Sequence, residues 1–327
     1  MTFPFAWRRG GLALAWGGVA VSLALAPLLA GAPVWVLVAP WLLSAVALGL
    51  PHGAADPVVP LSMRGERWRV SPIAVFSVVY IALGAVVLAV WWMVPVVAAT
   101  GFVVLTWAHW GQGDVYALRA LGWDGHLASP AHRALAGVVR GGLPMVVPLA
   151  AHPEVYADIV AAMAAAFRPD QAEAARAFIL SLPGDAVWGV LAAVGAAYAV
   201  WGVATASRRG AWRSLGLDLG EVVALAAFFA LLPPLWSVGI YFCLWHAVRH
   251  LQRLGPIVAD GSARRLALVA TPATLGAIVL MVLIFGGTLT EPVGGVGAYL
   301  AGIAALTVPH VAVVTWMDAR QRVWTAP

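Results

Sequence analysis

The stretch at residues 70–94 reads VSPIAVFSVVYIALGAVVLAVWWMV and contains no charged side chain. About 20 apolar residues in a helix cross the ~30 Å hydrocarbon core of a bilayer, and comparable runs recur along the chain. Hydrophobic residues make up 62% of the 327 residues and charged residues only 10%. The sequence therefore predicts an all-α membrane helix bundle, with residues 1–327 forming a single integral membrane domain.

The apolar runs predict about ten membrane-spanning helices. Their bounds are residues 11–30, 34–50, 72–92, 94–110, 134–151, 186–204, 219–232, 236–251, 266–285 and 296–317. With the N-terminus inside, 17 of the 19 arginines fall on the cytoplasmic side and two outside, which predicts a multi-pass protein of the plasma membrane with both termini cytoplasmic. Residues 154–167 are predicted to form a helix lying on the membrane surface. An alternative makes the first segment a signal peptide, with Ala30-Gly31-Ala32 as its cleavage site.

The composition excludes several kinds of site. A single cysteine, Cys243, rules out an internal disulfide and any iron–sulfur or multi-cysteine metal site. The absence of lysine rules out Schiff bases with retinal or pyridoxal phosphate and a Walker A phosphate loop. Because cytoplasmic arginines account for the net charge of +5, the charge gives no reason to expect a nucleic-acid partner.

Four histidines are the candidate metal ligands. His246 and His250 stand four residues apart, so a helix presents both imidazoles on one face. His52 and His109 end the second and fourth segments, and the arginine distribution places all four histidines toward the cytoplasmic face. Isolated histidines at such positions can cap helix ends, but four at one depth predict a shared ion, for which iron, zinc, copper and nickel all remain open.

Two carboxylates follow the candidate ligands along the chain. Asp56 lies four residues after His52, and Asp114 lies five residues after His109. We expect both to orient ligand imidazoles through hydrogen bonds and to offset the charge of the ion. The alternative is that each caps the next helix.

Other polar and aromatic residues have weaker assignments. His310 and the aromatic residues near the histidines are candidates for lining a substrate pocket, and these aromatic residues are Trp107, Trp110, Tyr241, Phe242 and Trp245. His126, His132 and His152 fall in predicted loops and are expected to be solvated or interfacial. Asp218 and Glu221 are expected to cap the seventh segment.

Three motifs together resemble the Brp/Blh family of bacterial and archaeal β-carotene 15,15′-dioxygenases. They are Pro-His-Gly-Ala-x-Asp at residues 51–56, His-Trp-Gly at 109–111 and Trp-His-x-x-Arg-His at 245–250. The resemblance covers most of the chain, from Leu50 to His310. It implies a membrane enzyme that uses non-haem Fe²⁺ and O₂ to cleave the central double bond of β-carotene into two molecules of retinal. It also implies iron binding by His52, His109, His246 and His250.

Three other functions remain as alternatives. A metal-ion or proton transporter would have a histidine-lined path and polar residues through the full membrane depth, whereas the histidines here cluster toward one side. A membrane di-iron desaturase or hydroxylase would have several paired histidine motifs, and this chain has one HxxxH. A noncatalytic partner in rhodopsin assembly would not need the intact ligand set.

Overall fold

The computed structural model describes residues 5–288 and 291–325, without the side chains of residues 5–9, so the predictions for the chain ends and for Arg8 and Arg9 fall outside it. Within these ranges the chain is helical and contains no strand. The helices are α1 (Phe5–Ala24), α2 (Ala26–Ala30), α3 (Val34–Leu37), α4 (Ala39–Val46), α5 (Gly49–Gly53), α6 (Val59–Met63), α7 (Val70–Met93), α8 (Pro95–Leu121), α9 (Pro130–Ala151), α10 (Pro153–Ala165), α11 (Ala172–Leu180), α12 (Gly184–Arg209), α13 (Trp212–Leu231), α14 (Pro234–Ile240), α15 (Val248–Val258), α16 (Ala263–Phe285) and α17 (Pro292–Gln321). A π-helix, Tyr241–Ala247, joins α14 to α15, and two 3₁₀ turns lie at Asp56–Val58 and Pro169–Gln171.

Seven helical stretches in the described ranges are long and apolar enough to cross a membrane. They are Val34–Met63, Val70–Met93, Pro130–Ala151, Gly184–Arg209, Trp212–Leu231, Ala263–Phe285 and Pro292–Gln321. The predicted membrane helix bundle is confirmed, whereas the number ten and the cytoplasmic termini remain predictions. The first, fourth and eighth predicted segments correspond to helices outside this set. The apolar part of α1 is short, and α8 and α15 carry buried polar and charged side chains.

The predicted second segment is broken into short helices. Prolines stand at or next to the starts of α4, of the 3₁₀ turn and of α6, where a missing N–H costs no helical hydrogen bond. The chain is therefore divided into several short helical segments between residues 39 and 63. His52 lies in one of these short helices, α5, and is buried.

Helices α8 and α9 pack at very close range through glycines. A Cβ atom added to Gly141 would lie 2.0 Å from the carbonyl oxygen of Trp107, and one added to Gly111 would lie 2.0 Å from that of Gly137. Small residues allow such backbone contacts between membrane helices. The contact fixes the position of α8, which carries His109 near its middle.

The outermost helices expose most of their residues. Of the 24 residues of α7, only Gly84 and Trp91 are buried, and α16 has a similarly exposed face with Leu283 77% exposed. The predicted helix at 154–167 is confirmed as α10, but its Ala157, Val160 and Met163 are buried in the bundle. Its position relative to the membrane surface remains a prediction.

Candidate metal centre

Five buried histidines meet where α5, α8, the π-helix, α15 and α17 converge. Each is at most 8% exposed: His52, His109, His246, His250 and His310. Ring centroids of contacting pairs lie between 4.9 and 5.5 Å apart. The four predicted ligands are thus brought together, and a fifth histidine joins them.

His52 lies at the centre of this cluster. Its ring is 5.4 Å from that of His246 and 5.5 Å from that of His250, so the two histidines of the HxxxH motif flank it. Its Nδ1 is hydrogen-bonded to the carbonyl oxygen of Gly49. A neutral imidazole that donates from Nδ1 leaves the lone pair of Nε2 free to bind a metal.

The π-helix places His246 in a segment with wider turns than an α-helix. Short π-helical segments are frequent at functional sites. The ring of Trp110 lies 5.5 Å from that of His246, and Phe242 stacks near the same imidazole. Aromatic groups therefore cover one side of the cluster and exclude water from it.

The possible ligand atoms of the histidines and of Asp56 form two groups whose spacing suits a metal ion. One ligand atom each from His52, His109 and His246 lie within 4.8 Å of one another, and so do those of Asp56, His250 and His310. The buried Nε2 atoms of His109, His246, His250 and His310 have no hydrogen-bond partner among the described residues. Buried polar atoms are normally paired, so this concentration of unpaired nitrogens fits a bound cation.

Asp56 contacts a different imidazole from the one expected. Its Oδ2 lies 2.8 Å from Nδ1 of His310 on α17 and 3.2 Å from the hydroxyl of Tyr80 on α7. The expected capping alternative is not seen, since Asp56 makes no side-chain cap where the 3₁₀ turn begins. Asp56 therefore links the chain just after His52 to the fifth histidine.

Asp114 bonds to arginines and tryptophan, and no histidine is among its recorded partners. Its carboxylate lies 3.1 Å from Nε of Arg140, 3.0 Å from Nη1 of Arg249 and 3.1 Å from the indole nitrogen of Trp245. The expectation that Asp114 directly orients an imidazole is wrong. Its side chain points from α8 toward α9 and α15, where two buried guanidinium groups require carboxylate partners.

The contacts of Asp114 belong to a buried ionic network of five residues: Asp114, Arg140, Asp218, Glu221 and Arg249. Arg140 pairs with Asp218 and Glu221, and Nη2 of Arg249 lies 2.7 Å from Glu221. All five residues are at most 5% exposed. The expectation that Asp218 and Glu221 cap a helix is wrong, because both lie inside α13 and neutralise Arg140.

Of the three histidines expected in loops, two are buried and the third is half-buried. His126 is buried, with Nε2 2.8 Å from Asp218, and buried His132 stacks on Trp201 at 4.6 Å. His152 is half-buried and lies 3.1 Å from the carbonyl oxygen of Ala230. The expectation of solvent exposure fails for His126 and His132 because Asp218 provides a buried acceptor and Trp201 a flat apolar surface, neither of which is visible from local sequence.

A large apolar cavity adjoins the histidine cluster. Its volume is about 630 Å³, and His52, His109 and His310 are among the polar residues of its wall. Trp110 and Phe242 line it, as predicted for a substrate pocket. Its described wall does not include Trp107, Tyr241 or Trp245.

Their other contacts explain why these three aromatic residues point elsewhere. The indole of Trp107 donates to the carbonyl oxygen of Val138 on α9, and the indole of Trp245 donates to Asp114 while Arg249 lies over its ring. Tyr241 packs against Trp110 and Phe229. None of the three therefore belongs to the described wall of this cavity, and their place in a substrate pocket stays a prediction.

One protein family matches most of this chain. Residues 43–318 match the model of the family described as β-carotene 15,15′-dioxygenase. All five histidines of the cluster fall inside the matched residues. No solved structure shows a significant match.

Individual relatives agree with the family match. A probable β-carotene 15,15′-dioxygenase Blh of Halobacterium salinarum is 39% identical, over 95% of this chain and 93% of its own length. A probable β-carotene 15,15′-dioxygenase Brp of the same organism is 30% identical, over 90% and 87%. A β-carotene 15,15′-dioxygenase of the uncultured marine bacterium 66A03 is 22% identical, over 83% and 90%. The chain therefore belongs to the β-carotene 15,15′-dioxygenase family and is an oxygenase.

Proposed function

We propose that this protein cleaves the central double bond of β-carotene with O₂, at a bound Fe²⁺, to give two molecules of all-trans-retinal. The observation that carries the proposal is an apolar cavity whose wall contains three histidines of the cluster, His52, His109 and His310. Family membership supports the same reaction, because the relatives' names specify the 15,15′ bond. The bilayer supplies the carotenoid, and the protein works as a multi-pass enzyme of the plasma membrane.

The histidine cluster fits ferrous iron in donor type and charge. His52, His109, His246 and His250 would hold the ion, and imidazole nitrogens are suitable donors for it. In their ionised forms, Asp56 and the five-residue ionic network, with three acids and two arginines, carry two net negative charges. These offset a divalent cation, which lowers the cost of burying it. Bound iron would supply the activation of O₂.

The cavity fits a long apolar substrate. Helices α4, α7, α8, α10, α16 and α17 all contribute to its wall, and its lining is overwhelmingly apolar. Because His52, His109 and His310 face the cavity, a polyene threaded through it passes beside the cluster. The apolar wall also keeps water from the reacting double bond. Cleavage breaks one C=C bond and forms two C=O bonds, and the two atoms of one O₂ molecule balance this without a further reductant.

The cavity opens sideways between α7 and α16. Ile81 on α7 and Val279, Leu280 and Leu283 on α16 line it, yet they are 60%, 57%, 44% and 77% exposed. Residues that face both the cavity and the outer surface mark its mouth. In a membrane this mouth faces lipid, so a carotenoid dissolved in the bilayer enters without crossing water.

Expression in β-carotene-producing bacterial cells, with chromatography of the extracted pigments, tests the proposal. Loss of β-carotene and appearance of retinal is the expected result. Cells that contain folded, iron-loaded protein but keep their β-carotene would refute the proposed substrate. Folded protein that binds no metal would favour the transporter or the noncatalytic partner.

Filling the cavity mouth is expected to block substrate entry. Gly276 on α16 lines the cavity, is exposed, and has no atom within 4 Å of where its Cβ would lie. Gly276→Phe therefore adds a ring in the mouth without an internal clash, and retinal formation should fall about ten-fold to a hundred-fold. Iron content should not change.

The matched control for this variant is Gly189→Phe. Gly189 on α12 is also exposed and has open space around it, but it lies away from the cavity. Its retinal formation should equal that of the wild type. Equal activity of both variants would contradict entry between α7 and α16.

A further inference from the structure

His310 is as close to the predicted ligands as they are to one another. Its ring centroid lies 4.9 Å from that of His52, 4.9 Å from that of His109 and 5.1 Å from that of His250. The residue is 5% exposed and follows Pro309 within α17. Position alone therefore does not separate it from the four histidines of the sequence motifs.

Asp56 sets the tautomer of His310. Its Oδ2 accepts a hydrogen bond of 2.8 Å from Nδ1 of the imidazole, and Asp56 is itself 0% exposed. With the proton on Nδ1, Nε2 carries a lone pair. A carboxylate that holds the far nitrogen of an imidazole is the usual support of a metal-binding histidine, because it orients the ring and makes Nε2 more basic.

The second ring nitrogen of His310, Nε2, is buried and has no hydrogen-bond partner within the described ranges. A ligand atom of His310 lies within 4.8 Å of one of His250 and one of Asp56, a spacing that permits a shared ion. If the only role of His310 were to join α17 to Asp56, its Nε2 would remain buried and unpaired. An unpaired buried nitrogen destabilises the fold, and nothing in that role would compensate for it.

We propose that His310 contributes a fifth nitrogen ligand to the metal ion, and that Asp56 is the residue that positions it. The inference rests on the proposed function, since it assumes that the cluster holds an ion. It assigns to α17 a direct part in metal binding that none of the three sequence motifs contains. Asp56 then acts on the ion through His310 and has no contact with it.

Cobalt(II) titration of metal-free protein in detergent tests the proposal without any assay of activity. The visible absorption of cobalt(II) reports the number and kind of its ligands, and the titration gives its affinity. His310→Ala is expected to weaken cobalt binding about 10-fold to 100-fold and to change the spectrum. Asp56→Asn, which keeps the size of the side chain, is expected to weaken binding by a similar factor.

Chemical rescue separates a ligand from a structural residue. Added imidazole can occupy the space left in His310→Ala, so it should restore both the wild-type spectrum and the affinity, measured against wild-type protein in the same imidazole. Thr307→Ala is the matched control. Thr307 lies one turn earlier on α17, lines the same cavity and donates a hydrogen bond to the carbonyl oxygen of Ile303 within its own helix, so its loss should leave cobalt binding unchanged.

The outcomes that overturn the proposal are distinct from failure of the proposed function. Wild-type affinity and spectrum in His310→Ala would show that His310 is not a ligand, and two ions per wild-type chain would replace the single site with a dinuclear one. Wild-type protein that takes up no metal would overturn both conclusions. If His310→Ala does not fold, Asp56→Asn provides the same comparison, and unaltered cobalt binding there refutes the positioning by Asp56.

Discussion

Replacing His52 with alanine is expected to remove bound iron and to lower retinal formation at least about 100-fold. Loss of a residue that only supports a metal ligand lowers activity by up to about 100-fold, and loss of a ligand itself should cost at least as much. His52 is the histidine whose ring contacts those of His246, His250 and His310. Its removal would leave the remaining imidazoles around a gap at the centre of the cluster. Iron per chain in purified protein and retinal in cell extracts are the two measurements.

His152→Ala is the control for this variant. His152 is half-buried, and its ring contacts the carbonyl oxygen of Ala230, away from the cluster. It should keep wild-type iron and retinal formation. Full iron content in His52→Ala would contradict a metal site centred on His52, and undiminished cleavage would exclude a catalytic role for the cluster.

Replacing Arg140 with methionine is expected to cause the largest loss of stability, about 3–5 kcal/mol. Arg140 is fully buried and contacts Asp114, Asp218 and Glu221. Methionine keeps much of the side-chain length, but it leaves carboxylates buried without their cation. The midpoint of thermal unfolding in detergent and the yield of folded protein should both fall.

Arg176→Met makes the same chemical change in an exposed ion pair. Arg176 on α11 bonds to Glu154 and Asp158, whose side chains are 66% and 55% exposed. Exposed pairs contribute about 0–1 kcal/mol, so this variant should unfold close to the wild-type temperature. Equal losses of stability in the two variants would mean that the buried network does not hold the bundle together.

Much of the fold could be predicted because long apolar runs have few other structures available to them. The bounds of α7, α9, α12 and α16 follow the predicted segments within a few residues. The second segment and the residues just after it were harder to predict, because hydropathy does not register how Pro40, Pro51 and Pro57 affect the backbone. Pro40 and Pro57 stand in the first turns of α4 and of the 3₁₀ turn, and Pro51 lies inside α5 next to His52.

The arginine count that predicts the topology includes buried, ion-paired arginines as well as arginines of the cytoplasmic side. Arg140, Arg249 and Arg253 are counted on the cytoplasmic side, but each is at most 5% exposed and bonds to buried carboxylates. The signal that could have separated them was the sequence around Arg140. It lies between Val139 and Gly141 inside an apolar run, where a charge needs a buried partner.

The residues of the candidate site that stand in short sequence motifs could be predicted, and those outside such motifs could not. His52, His109, His246 and His250 stand in short patterns, and the structure brings them together. The pair of Asp56 and His310 joins residues 254 positions apart, so local spacing carries no trace of it. The available signal was a histidine next to a proline within an otherwise apolar helix.

The most direct test of iron-dependent central cleavage is the ratio of retinal formed to β-carotene consumed by purified protein in detergent. Measurements would compare protein as isolated, protein stripped by a chelator, and stripped protein given Fe²⁺ again. We expect two molecules of retinal for each β-carotene, loss of activity on stripping, and recovery with Fe²⁺. Aldehydes of unequal length, or full activity in metal-free protein, would contradict the account.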